Sequence, residues 1–181
     1  MKYLTLLLLL TLSFTIKAQL PLSETTKEIS IKTSKWVQAK DPRIISLSDS
    51  IVAGIDGEYE RVEAIDDWIT NNIEYNETST MYSQKIDAIT TLEMGMGICT
   101  GYANLFAALA RASGLETKVM TGKAKNLNGH TYYHQWNEVK IDGTWYFIDT
   151  TWNAGLKKRE FFFKVSEYPK SHKKPKEVRA Y

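Results

Sequence analysis

Gly95-Met96-Gly97-Ile98-Cys99-Thr100-Gly101-Tyr102-Ala103 places the single cysteine of a 181-residue chain where a glycine-rich turn runs into a helix. Glycines at 95, 97 and 101 suit a tight turn with close backbone approach. Residues 104–113, rich in Ala and Leu and followed by Gly114, read as the helix. Cys99 is therefore expected at the helix N-terminus. Backbone N–H groups there have no intrahelical acceptor, and the positive end of the macrodipole favours a thiolate and offers donors to a developing oxyanion. Most free cysteines are small buried residues, so the catalytic reading needs partners elsewhere in the chain.

Working outward, residues 58–72 carry Val62, Ile65, Trp68 and Ile69 at helical spacing, with Ile73 just beyond and Glu60, Arg61, Glu63, Asp66 and Asp67 on the other positions. Residues 87–94 read as a short helix leading into the glycine turn. A further short helix is expected over 46–53, closed by Gly54, with a break before it at Asp41-Pro42 and an edge strand near 28–32. The cysteine helix is apolar nearly all round, which puts it in the middle of the domain. Residues 76–84 read as a polar loop.

After Gly114 the pattern changes to strands at 117–123, 134–141 and 144–150, the last two flanking Asp142-Gly143, a strong hairpin signal. A two-residue turn there pairs Ile141 with Thr144. Side-chain alternation then brings His134 and Asp149 out on one face as diagonal neighbours, about 7–8 Å apart at the backbone. A slip of one residue would separate them. A cysteine at a helix start, a histidine on a strand and an acid beside it supply a nucleophile, a general base and an orienting carboxylate for acyl transfer. Residues 161–165 are expected to add a strand, and the remainder reads as basic coil with His172 in solvent.

Three blocks of this sequence resemble the transglutaminase-like superfamily, which is built on the papain-like fold: Gly97-Ile98-Cys99-Thr100-Gly101-Tyr102-Ala103, His134-Gln135-Trp136-Asn137-Glu138-Val139, and the run from Asp142 to Trp152. Trp68-Ile69-Thr70-Asn71-Asn72-Ile73-Glu74-Tyr75 is similar to the helix and Tyr that precede them. The resemblance implies an α+β fold with the cysteine-bearing helix packed on an antiparallel sheet, and catalytic residues Cys99, His134 and Asp149. It implies acyl transfer on a peptide or protein substrate without cofactor or metal. Metazoan-type transglutaminases have Gln before and Trp after the cysteine, where this chain has Ile98 and Thr100, so it looks like the bacterial branch of peptidases and amidases. Glu93 stands where the papain-like oxyanion Gln would lie, and a carboxylate cannot stabilise an oxyanion, which leaves the Cys99 N–H as the one assigned donor. Protein cross-linking and a non-catalytic binding module of the same fold are the alternatives to thiol-dependent hydrolysis.

His130, His134 and Glu138 have a metal-like spacing only on a helix, and Tyr132, Tyr133 and Trp136 argue for a strand. His130 is a weaker candidate base, outside the matching block.

Residues 1–18, with Lys2, an apolar run from Leu4 to Leu12 and Ala18 before Gln19, read as a signal peptide too short to span a bilayer. The expected organisation is a signal peptide at 1–18, an extension at 19–57 packing on the core, a transglutaminase-like domain at 58–165 and a basic tail at 166–181. An extracytoplasmic location follows from this, with no integral membrane segment in the mature chain. One cysteine cannot close an internal disulfide, so stability must come from packing, to which five Trp, ten Tyr and six Phe contribute. Residues 19–156 carry 12 Lys/Arg against 18 Asp/Glu, and residues 157–181 carry 9 against 3. A basic tail lying on its own acidic body accounts for this asymmetry, and the lack of interleaved aromatics speaks against nucleic acid.

Overall fold

The computed structural model describes residues 32–77, 86–125, 128–156 and 160–178. The expected signal peptide, nearly all of the strand expected at 28–32 and most of the loop expected at 76–84 lie outside the described residues. Helix α1 (Pro42–Ile51) starts where a break was expected: the Asp41 side chain caps the Arg43 N–H, and Pro42 occupies a first-turn position whose N–H would have no partner anyway. Helix α2 (Glu58–Asn72) has the bounds read from its periodicity and buries Val62, Ile65 and Ile69. It also buries Asp66, assigned by the pattern to the polar side, because Asn153 donates to its carboxylate at 3.0 Å.

Strands β1 (Glu74–Tyr75) and β2 (Met96–Gly97) form a small parallel pair around helix α3 (Ala88–Met94), which is capped by Asp87 and closed by Gly95 in the left-handed region. Helix α4 (Cys99–Ala112) follows, with residues 101–111 buried. Leu105, Phe106 and Leu109 are fully inaccessible, each worth about 1.5–3 kcal/mol of apolar burial.

Strands β3 (Thr117–Lys125), β4 (Thr131–Ile141), β5 (Thr144–Ile148), β6 (Phe162–Lys164) and β7 (His172–Glu177) make an antiparallel sheet in the order β6-β5-β4-β3-β7. Ile141 pairs with Thr144 as expected, and Asp142 and Gly143 both adopt positive φ, 47° and 80°, as a tight hairpin turn requires. The expected strand does not continue to residue 150. It stops at Ile148, and helix α5 (Thr150–Leu156) begins with Asp149 accepting the Trp152 N–H. Among the described residues no helix is long and apolar enough to cross a membrane.

The sheet is apolar on both faces. Val119, Val139, Ile141 and Ile148 join α4, α2 and α1 in the larger core. Met120, Trp136 and Phe147 pack on the other side with Phe161, Phe163, Val165 and Tyr168. Asn137 ties α4 to the sheet, donating from Nδ2 to the carbonyls of Ala103 and Lys118 at 3.0 and 3.1 Å.

The start of α4 sits directly on α3, because Gly101 has no side chain. A Cβ there would lie 2.5 Å from Thr91 Oγ1 and 2.8 Å from Ile86 Cγ2. Overpacking of this kind costs about 1–3 kcal/mol, of which the better helix propensity of Ala offsets about 1. The net cost is at most about 2 kcal/mol, and Gly101→Ala is expected to lower the thermal midpoint by up to about 8 °C. A midpoint at or above that of the wild type would show that α4 can shift away freely.

Candidate active site

Cys99 is the first residue of α4, with Ile98 at the cap position and no side-chain cap. The first intrahelical bond runs from the Tyr102 N–H to the Ile98 carbonyl at 3.1 Å, so the N–H groups of residues 99–101 have no acceptor within the helix. The Cys99 side chain is half-buried. Tyr102, one turn on, anchors this end by donating its hydroxyl to the Ile73 carbonyl.

His134 lies on β4 opposite Gly122, and alternation puts it on the same face as Trp136. Its Nε2 is 2.7 Å from Asp149 Oδ2, and both side chains are buried, at 2% and 0% exposure. The hairpin register read from Asp142-Gly143 therefore brings this histidine and this acid together. The other nitrogen, Nδ1, is buried without a completed hydrogen bond. Cys99 is close enough to be among the groups that favour the imidazolium. Burial by itself would push His134 down, but the charge and hydrogen bond of Asp149, aided by Cys99, hold it well above the ordinary imidazole value. Burial would likewise raise Asp149, yet the two histidines bonded to it keep it well below the usual carboxylate range.

The second of these histidines corrects the sequence reading. His172 is not in solvent: it is 4% exposed on β7, with Nε2 3.0 Å from the same Asp149 Oδ2 and Nδ1 3.0 Å from Ser171 Oγ. Residues 172–177 are strand rather than coil. The Ser-His-Lys-Lys-Pro-Lys run carried no strand signal, since Lys and Pro are depleted in strands. Both are at home on a sheet edge, and Pro175 falls where the pairing with β3 shifts register.

Aromatic rings enclose the pair. Trp136 lies 6.1 Å from the His134 ring at an interplanar angle of 27°, and Trp152 lies 5.7 Å away. Trp152 Nε1 donates to the Tyr132 hydroxyl at 3.1 Å, and Tyr132 reaches the surface beside them, close enough to feel the charges of Asp149 and Cys99. His130 is exposed in the loop before β4. Glu138, buried near Lys118 at 3.7 Å, lies with His134 on β4, and His130 falls just before that strand, so no helix carries the metal-like spacing. Glu93 is exposed on α3 and ion-paired with Arg43.

His134, Asp149 and His172 bring three donor atoms within 4.8 Å of one another. Both imidazoles already share one carboxylate oxygen through hydrogen bonds, and the three side chains are sealed from solvent.

The family model of the transglutaminase-like superfamily matches residues 45–150. Kyphoscoliosis peptidases of Mus musculus and Homo sapiens are each 32% identical over 109 residues, a match covering 54% of this chain and 16% of each relative. The chain thus spans about a sixth of the length of the curated relatives it matches. A crystal structure of a provisionally assigned cysteine protease from Cytophaga hutchinsonii superposes with a TM-score of 0.61 at 25% identity, over 88% of this chain and 56% of that one.

The buried ion pair makes stability depend on pH in two directions. A raised histidine contributes fully below its unfolded value and loses its contribution as pH rises towards the folded one. A depressed carboxylate contributes above its unfolded value and loses its contribution as pH falls. The stabilisation should therefore be largest between the ordinary values of 3.8 and 6.5. The difference in thermal midpoint between wild type and Asp149→Asn is expected to peak in that window and shrink on both sides. A difference independent of pH would contradict an ionised pair.

Proposed function

The chain belongs to the transglutaminase-like superfamily, and on that premise we propose that Cys99, His134 and Asp149 perform acyl transfer, ending in thiol-dependent hydrolysis of a peptide or amide bond. The observation that supports this most directly is the division of labour on the His134 ring. Asp149 occupies Nε2, and Nδ1 is left over beside a half-buried thiol at a helix start.

In this reading the Cys99 proton passes to His134 Nδ1, and the sulfur attacks the acyl carbon. The Cys99 N–H at the head of α4 donates to the oxyanion. Collapse of the tetrahedral intermediate breaks the C–N bond as the His134 imidazolium protonates the leaving amine. Water then gives a proton to His134 and attacks the thioester, and the C–S bond breaks to release the acid and restore the thiolate. Asp149 holds the ring and balances its charge throughout. Trp152 and Tyr132, whose rings flank His134, would line the path of a bound peptide in this reading.

Hydrolysis is preferred to cross-linking because the relatives are named as peptidases and a cysteine protease, and because Ile98 and Thr100 replace the residues that flank the cysteine in cross-linking members. We place the action outside the cytoplasm on the strength of residues 1–18, and take residues 58–165 as the catalytic domain.

Two measurements test this reading. Iodoacetamide should alkylate Cys99 rapidly below the pH at which an ordinary thiol near 8.5 reacts. His134→Ala should remove that advantage and lower turnover by about 10²–10⁴-fold. Equal labelling of wild type and variant would favour a binding module. Separately, the protein is incubated with a glutamine-containing substrate protein and a labelled primary amine, and products are read by mass spectrometry. Cleavage or deamidation that disappears in Cys99→Ala is expected. Cys99-dependent amine incorporation without either product would replace hydrolysis by transglutamination.

A further inference from the structure

Three donors converge on the Asp149 carboxylate, and only one belongs to the proposed triad. Oδ2 receives His134 Nε2 at 2.7 Å and His172 Nε2 at 3.0 Å, while Oδ1 receives the Trp152 N–H at 3.1 Å. His172 comes from β7, beyond residue 150, where the family match ends.

The surroundings of His172 fix both its ring and its proton. Trp136, Phe147 and Trp152 have ring centroids 4.8, 4.9 and 4.7 Å away, which leaves little room to rotate. Two protonation states satisfy Ser171 and Asp149 together: a neutral ring that accepts from the Ser171 hydroxyl, and an imidazolium that donates to it. Both carry a proton on Nε2. The remaining tautomer would turn a lone pair towards a buried carboxylate. Without this donor, one lone pair of Oδ2 would be buried and unsatisfied, a cost that drives a carboxylate to seek another position.

We propose that His172 is a positioning residue for the acyl transfer. By holding Asp149 Oδ2 on one side, it keeps that oxygen aligned with His134 Nε2, and so keeps His134 Nδ1 presented to Cys99. This rests on the triad reading above, and it makes β7 part of the working site. Tyr132 and Tyr168 also face Asp149, and burial pushes both hydroxyls upward, so they stay neutral near neutral pH.

The test compares His172→Gln, whose amide N–H falls near the position of Nε2, with His172→Asn, whose amide reaches only as far as Nδ1. Both are made in the full chain, with thermal midpoints to show folding. The Asn variant is expected to lose about 10–100-fold in both Cys99 alkylation rate near neutral pH and kcat, with KM little changed, as for other groups that orient a reacting residue. The Gln variant should retain most of both and keep the downfield N–H proton resonance of His134, which the Asn variant should shift or lose. Wild-type alkylation and an unmoved His134 resonance in a folded Asn variant would overturn the proposal. If the Asn variant does not fold, the Gln variant decides, and a loss there as large as in Asp149→Asn overturns it. Alkylation and the resonance need no substrate. A wild type that labels at Cys99 but turns nothing over would refute the acyl-transfer reading while leaving the positioning role measurable.

Discussion

A carboxylate with no solvent exposure must have its charge balanced and its oxygens bonded, and the region around Asp149 is built to that requirement. The end of β5 delivers the carboxylate, the first turn of α5 supplies a backbone donor to Oδ1, and β4 and β7 each supply an imidazole to Oδ2. Four elements thus meet at one group, three of them consecutive in the chain and the fourth, β7, bringing His172 from 23 residues beyond Asp149. Removing one donor would leave the charge in place and under-satisfied, which is why partners of such a group act as a unit and not as independent contributions.

The two apolar faces of the sheet explain how the cysteine reaches this group. One face is occupied by α4, whose first turn rests on α3. The other holds the aromatic cluster, and His134 rises from that side next to Trp136. Asn137 sits three residues from His134 on the same strand and bonds the Ala103 carbonyl, one turn into α4 from Cys99. The separation of thiol and imidazole is therefore set by regular elements joined through a buried amide. A site held in this way is better ordered than one carried on loops.

Much of this was legible in the sequence because short-range patterns decided it. The bounds of α2 follow from apolar spacing, the hairpin register follows from Asp142-Gly143, and the position of Cys99 follows from the glycines around it. The failures fall where the partner a side chain finds, and not its composition, decides. Thr150-Thr151-Trp152 has strand-like composition, yet the chain turns into α5 because Asp149 caps it. Asp66 looks like a surface acid until Asn153 arrives from α5. His172 sits in a run of Lys and Pro whose composition suits coil or a sheet edge equally, and only the free edge of β3 selects the second.

The position of β7 also sets an order of assembly. His172 lies 23 residues beyond Asp149, on a strand that pairs, among the described residues, with β3 alone. During synthesis, β3, β4 and β5 can pair as soon as they emerge, but the carboxylate lacks one of its donors until the later strand has been made and has docked. Until β7 docks, Asp149 lacks one of its three donors, and the docking of that strand completes the polar set around the carboxylate. Contacts that close late across long sequence separations are the slow part of folding, so here the maturation of the site and the completion of the sheet are the same event.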